Sequence, residues 1–268
     1  MNKPGYEDWY TRHVTLDEAI NAGRISRAWA LQREKQWGKD SSVFLNRVMG
    51  EFADTSEEGV IPLSWVRCAI ERHEAWCERG RPDTDGMLTL GVDVARGGED
   101  KTVIAHRMGW VIQKLSIYSK LPTTATAGYV KSLCRGRRVH IEMDGGLGAA
   151  VYDMLREQEV PLLHPITVSG GTAFRDTSGE LSFLNIRAAM WWNMRQLLDP
   201  DKGQEIMIPN NDNLIIDLVS PKWIMMKDAT IKLEPKEKII KRLGRSTDYG
   251  DAVCLAFWDS GGGGGVVF

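Results

Sequence analysis

Four carboxylates in this sequence stand where an apolar element gives way to a polar edge: Asp93, Asp144, Asp248 and Asp251. Asp93 alternates with Leu90, Val92 and Val94, so it leaves its strand on the opposite face. The turn that follows, Arg96-Gly-Gly-Glu-Asp100, has glycines that let a ligand approach the backbone. Asp144 ends a second alternating stretch, away from Val139, Ile141 and Met143. Asp248 and Asp251 are three residues apart at the start of a helix and share a face. The run after Asp251, Ala-Val-Cys-Leu-Ala-Phe-Trp, is apolar nearly all round. A carboxylate entering such a buried helix must be paired or must bind a cation. Acids gathered this way stay ionised together only around hard cations such as Mg²⁺ or Mn²⁺. Two such ions, about 4 Å apart, activate water and stabilise the leaving oxygen of a phosphodiester. Taken singly, each acid also has a structural reading, as a turn, cap or helix-dipole residue. The set of two strand-borne acids with a helix-borne one favours the chemical reading.

Basic residues lie close to these acids in the chain. Lys238, Lys241, Arg242 and Arg245 recur at spacings of three and four just before the last helix. They read as a phosphate-binding ridge or as a solvated helix face. Arg96 and Lys101 flank the first acidic turn and allow the same two readings.

Other chemistries lack their signatures. No Gly-x-x-x-x-Gly-Lys-Ser/Thr run is present, so the chain has no phosphate loop of that kind. Gly146-Leu-Gly148-Ala-Ala reads as a strand-to-helix turn packed closely through small residues. His140 and His164 fall in or near strands as packing residues, and Trp191 and Trp192 fall on a helix as core. No Ser-His-Asp arrangement is legible. Lys and Arg number 34 against 36 Asp and Glu, a formal net charge of −2. That balance excludes a globally basic coat for nucleic acid but permits a local basic groove. Cys68, Cys77, Cys134 and Cys254 form no CxxC pair and read as reduced thiols. No apolar run approaches a membrane span, and the first residues, MNKPGYEDWY, lack the apolar stretch of a signal peptide.

The elements that must carry the acids follow from periodicity. Residues 1–80 are rich in helix formers, with a capping box at Thr15-Leu-Asp-Glu and helices over about 26–37 and 64–79. Gly80-Arg-Pro-Asp-Thr-Asp-Gly86 is a domain boundary. Residues 87–118 then read as a three-stranded antiparallel meander, followed by a helix over 123–134, a strand at 139–143, a helix over 148–158 and a strand at 162–168. A long helix is expected over 183–198, another over 211–219, a hairpin across 222–233 and a basic helix over 236–243. The last helix begins at Ser246, and GGGGGVVF reads as a flexible tail over 260–268. A meander followed by alternating helices and strands gives an α/β fold: a mixed sheet with helices on both faces.

The stretches Gly-Val-Asp93-Val-Ala-Arg-Gly-Gly-Glu-Asp-Lys-Thr, Ile-Glu-Met-Asp144-Gly-Gly-Leu-Gly-Ala, Asn185-Ile-Arg187-Ala-Ala-Met and Gly-Arg-Ser-Thr-Asp248-Tyr-Gly-Asp251-Ala resemble, in this order and spacing, the C-terminal nuclease domain of the large terminase subunit of tailed bacteriophages. The resemblance implies a ribonuclease H-like fold over 86–259, related to the Holliday-junction resolvases. It implies metal-dependent cleavage of double-stranded DNA, with little sequence preference, during genome packaging. By it, Asp93 would bridge two Mg²⁺ or Mn²⁺ ions, Asp144 would hold one and Asp251 the other. Asp248 would be an auxiliary acid, and the 222–233 hairpin would modulate access to the site. Gly23-Arg-Ile-Ser-Arg-Ala-Trp, Trp37-Gly-Lys-Asp-Ser-Ser and Arg47-Val-Met-Gly-Glu-Phe52 are similar to the end of the family's packaging ATPase and its linker. Residues 1–80 would then be the remnant of a longer chain that carries the ATPase motifs. The implied partners are DNA, that ATPase domain, the portal protein and the small terminase subunit. The implied setting is the cytoplasm of an infected bacterium, at the procapsid portal. Two other readings remain open here: a non-enzymatic docking module of the packaging motor, and an actin-like nucleotide-binding fold.

Overall fold

The computed structural model describes residues 14–37, 48–50, 59–95, 100–134, 136–226 and 230–259. A short capped helix α1 (Leu16–Asn21) and α2 (Arg27–Trp37) precede α3 (Leu63–Glu78). The capping box at Thr15 forms as its spacing predicts, with the Glu18 carboxylate accepting from the Thr15 amide. The strands β1 (Leu88–Asp93), β2 (Lys101–Met108) and β3 (Val111–Ser119) make the expected meander. Helix α4 (Thr123–Cys134), strand β4 (Arg138–Glu142), helix α5 (Leu147–Glu157) and strand β5 (Leu163–Ile166) complete a five-stranded sheet in the order β3-β2-β1-β4-β5. The meander pairs are antiparallel, and β1/β4 and β4/β5 are parallel.

The expected helix over 183–198 is shorter. Ser182–Phe183 form a strand, β6, and α6 (Ile186–Leu198) starts after Asn185, whose side chain accepts from the Ala188 amide. An N-cap residue needs non-helical backbone, so Asn185 ends the extended stretch. Helix α7 (Asp212–Val219) leads into β7 (Trp223–Met225) and β8 (Thr230–Leu233). The expected hairpin is present, and β6 adds to it in parallel, giving a second sheet ordered β6-β8-β7. Helices α8 (Lys236–Leu243) and α9 (Asp248–Ala256) close the described chain. The last helix begins two residues later than its sequence suggests. The 260–268 tail and most of the segment from Trp37 to Phe52 lie outside the described residues.

Two cores flank the large sheet. Leu90, Val92, Ile104, Val139 and Ile141 point to α4 and α5 and bury Val130, Val151 and Leu155. The opposite face packs α9, with Val103, Ala105, Ile112 and the α6 and α7 side chains. Helix α3 shares this second core through Val66, Ala69 and Ile70, although it precedes the Gly80–Gly86 stretch. Among the described residues no helix is long and apolar enough to cross a membrane, and all four cysteines carry free thiols.

Gly91 is what lets α9 lie so close to β1. A Cβ there would run into the backbone of Ala252 and Ala256. Gly91→Ala is therefore expected to lower stability by about 3 kcal/mol, because backbone on both sides must move to admit a methyl group. Chemical denaturation measures this, and an unchanged midpoint would mean the approach is looser than described. Gly148 plays the same part behind β4, where a Cβ would strike the Glu142 carbonyl.

Candidate active site

The register of the large sheet decides which acids meet. Val92 pairs with Ile141 across the parallel β1/β4 ladder, so the next residues, Asp93 and Glu142, leave the two strands side by side. Both strands end there at their carboxyl ends, where open α/β sheets take ligands. Asp93 and Glu142 share the parity of Gly91 and His140, the face covered by α9. Helix α9 brings Asp251 and Asp248 to the same place from its first turn. Asp93 is 6% exposed, Asp248 7% and Asp251 2%.

Each acid is held differently. Asp251 accepts from Thr247 Oγ1 at 2.9 Å and from the Trp191 indole at 3.1 Å, and Lys236 Nζ lies 3.0 Å from its Oδ2. Asp248 accepts from the Lys101 amide at 2.8 Å. Asp144, partly exposed two residues past β4, accepts from the Ser169 amide at 2.8 Å and from Ser169 Oγ at 3.0 Å. Asp93 Oδ2 is buried without a hydrogen-bond partner.

Burial raises the Asp93 carboxyl well above the usual carboxylate range. Lys236 opposes the rise, and Glu142, Asp251 and Asp248 add to it. Glu142 is pushed up to about 7, first by burial and then by Asp251, with Lys236 and Arg187 pulling the other way. Asp248 is also raised, chiefly by burial. Burial works on Asp251 in the same sense, yet Lys236, Arg187 and Thr247 hold it below the usual range. Lys236 is raised, because Asp251, Asp93 and Glu142 outweigh its desolvation. Lys236, the first residue of α8, is thus the shared counter-charge of the cluster. Among the described residues no group of three or more His, Cys, Asp or Glu stands ready-made as a metal cage. The acids nevertheless suit a divalent cation, since a buried oxygen of Asp93 has no partner and its neighbours carry the same charge.

The structure therefore brings Asp93, Asp248 and Asp251 together and adds Glu142. Asp144 influences Glu142 but stands at the rim, on Ser169. Glu142 had a legible signal, since it alternates with Val139 and Ile141 on the same face as Asp144. Only the register places it beside Asp93. Trp191 is core, as expected, and it also donates to Asp251. His140 is a packing residue whose Nδ1 contacts the Leu255 carbonyl at 2.8 Å.

The basic residues sort less simply. Arg242 is committed to Glu234, at 2.6 and 2.9 Å, and to the Ser220 carbonyl. Arg245 pairs at 2.6 Å with Asp217, which is fully buried. Asp217 also accepts from the Tyr249 and Gly250 amides, so it caps α9 from outside its own sequence and sets where Asp248 and Asp251 sit. Lys238 and Lys241 are exposed on α8. Lys101 Nζ donates to the Tyr249 hydroxyl at 3.3 Å. Arg96 lies outside the described residues.

No protein-family model matches this chain, and no curated protein matches its sequence. Solved structures do match. A mutant nuclease domain of the large terminase subunit gp2 of bacterial virus Sf6, with manganese and beta-thujaplicinol, superposes with a TM-score of 0.61 at 18% identity, covering 75% of this chain and 98% of the other. The nuclease domain of the same Sf6 subunit gives 0.59 at 17% identity over 75% and 98%. A mutant form with calcium gives 0.60 at 17% over 75% and 99%. The fold is the ribonuclease H-like mixed α/β fold of these large terminase nuclease domains, as the sequence motifs imply.

Proposed function

We propose that this chain is a divalent-metal-dependent endonuclease that cuts double-stranded DNA, with little sequence preference, in phage genome packaging. The observation that carries the reading is the convergence of Asp93, Glu142 and Asp251 on one sheet end of this fold, with one Asp93 oxygen unpartnered. Asp93, Glu142 and Asp251 would hold Mg²⁺ or Mn²⁺, two ions in all, with Asp144 and Asp248 at the margins. Such ions supply the positive charge that activates water and stabilises the departing oxygen. The chain's own residues do the positioning. Thr247 and Trp191 fix the Asp251 carboxylate, Ser169 fixes Asp144, and the Lys101 amide fixes Asp248. Lys236 offsets the mutual repulsion of the acids. The packaging ATPase, the portal protein and the small terminase subunit are the proposed partners, in the cytoplasm of the infected host.

A plasmid-nicking assay tests the reading. Cutting in Mn²⁺ that stops on adding EDTA is expected. Cutting that survives EDTA would overturn the metal dependence, and no cutting at any metal concentration would overturn the nuclease reading and favour a docking role.

A further inference from the structure

A cleft of about 240 Å³ opens beside the acid cluster, between the end of β5, the start of α6 and the β8–α8 junction. Its polar lining is Ser169, Asn185, Arg187, Lys232 and Lys236, with apolar walls that include Leu184 and Pro235. Three cations line it, and no carboxylate does. It touches the acid cluster at two points. Lys236 lies 3.0 Å from Asp251, and Ser169 holds Asp144.

The hydrogen-bond inventory of this lining is unbalanced toward donors. Arg187 Nη1 donates to the Glu234 carbonyl at 2.9 Å, while its Nε and Nη2 are buried without partners. Buried guanidinium donors left unsatisfied are costly, and they are uncommon without a reason. Asn185 spends its amide oxygen on the α6 cap, which leaves its N–H groups as donors. The Lys232 side chain makes no hydrogen bond or ion pair among the described residues; its neighbours Ile231 and Leu233 are buried, so it faces away from the core. A planar fork with two free donors, an ammonium and an amide suit a tetrahedral oxyanion better than a base or an apolar group.

We infer that this cleft binds a backbone phosphate of the DNA strand, the one flanking the phosphodiester presented to the acids. The inference rests on the nuclease reading for its choice of ligand. Sharing Lys236 links the two positions, so one strand would engage both in a fixed register. Arg187 and Lys232 are then the residues that seat the strand. The exposed Lys238 and Lys241 of α8 lie outside the cleft lining.

The test is binding of a fluorescent DNA duplex to the full chain in Ca²⁺, read by anisotropy over a range of salt concentrations. Lys232→Ala is expected to weaken binding about tenfold, the scale of one charge-assisted contact. It should also lower the slope of log affinity against log salt by about one. Arg187→Lys, which keeps the charge but loses the fork, should weaken binding as well. Lys131→Ala, exposed on α4 across the sheet from the acids, is the control and should change affinity less than about twofold, as a solvated surface charge does. Equal losses in Lys232→Ala and Lys131→Ala, or none in either, would overturn the inference. Inorganic phosphate forms a second arm. If it protects the wild-type chain against heat and Lys232→Ala abolishes that protection while DNA binding is unchanged, the cleft takes free anions and the inference fails. Lys232-dependent binding without any cutting in Mn²⁺ would remove the nuclease reading and keep the cleft. Cutting in Mn²⁺ with Lys232-independent binding would do the reverse.

Discussion

Asp93→Asn is expected to reduce Mn²⁺-dependent nicking by about a thousandfold and, in the same sample, to raise the thermal midpoint of the metal-free protein. The two effects have one cause. Asp93 is buried, one of its oxygens has no partner, and against the single counter-charge of Lys236 stand the like charges of Glu142, Asp251 and Asp248, so that its carboxyl is still raised well above the usual range. A charge in that position is unfavourable for the fold and useful only to a cation. The amide keeps the shape and removes the charge, so the repulsion goes and so does the ligand. The loss of activity is on the scale of removing one well-placed electrostatic group from an active site. The stability gain should be about 1–3 kcal/mol, the cost of a poorly satisfied buried group. At roughly 2–4 °C per kcal/mol for a chain of this size, calorimetry resolves it. A variant that loses both activity and stability would show that Asp93 is structural.

Lys236→Met is the second large effect, and it runs the other way. Lys236 is the cation that Asp251, Asp93 and Glu142 share, and removing it leaves those carboxylates facing one another. Breaking a buried ion pair costs about 3–5 kcal/mol. The Lys236 side chain is 31% exposed, which puts the expected loss at or below the lower end of that range. The pH dependence follows from Glu142. Its folded-state value of about 7 is raised above its ordinary value, so the folded chain binds more protons than the unfolded chain between that ordinary value and 7. The metal-free protein should therefore lose stability as pH rises through that window, and stay low above it. Without Lys236 the loss should be steeper. A divalent ion restores the missing charge. At a hundred times its dissociation constant it adds about 2.7 kcal/mol, and more at about pH 8 than at about pH 5.5, because protons compete for the same oxygens. Thermal melts in EDTA and in Mn²⁺ at the two pH values check this. A metal-induced rise that is equal at both would argue that the acids do not bind the ion.

Local sequence carried much of this molecule. The alternation of Leu90, Val92 and Val94 with Asp93 is enough to place that carboxylate on the face away from α4 and α5, because a strand has no other periodicity. The apolar run after Asp251 marks α9 as buried, and burying a carboxylate at its start is a feature the sequence shows outright. The order of elements from β1 to β5, and the hairpin of β7 and β8, follow from period and turn chemistry. The start of α6 is not legible locally, because Ser182–Phe183 gains its strand character only by pairing with Thr230–Ile231, far along the chain.

What tertiary structure decided is which of the legible residues are engaged with one another. By alternation Glu142 and Asp144 would share a face, yet β4 ends at Glu142 and Asp144 falls in the turn beyond it, and only the pairing of Val92 with Ile141 puts Glu142 level with Asp93. The basic run from Lys236 to Arg245 looks uniform in sequence. In the fold, Lys236 enters the acid cluster, Arg242 is taken by Glu234 and Arg245 by Asp217, while Lys238 and Lys241 stay on the surface. Periodicity states which way a side chain leaves its own element. It carries no information on the partner that element will meet, since the β1/β4 register and the Lys236–Asp251 and Arg245–Asp217 pairs join different elements, and the free energies of those contacts lie in no single element's own window.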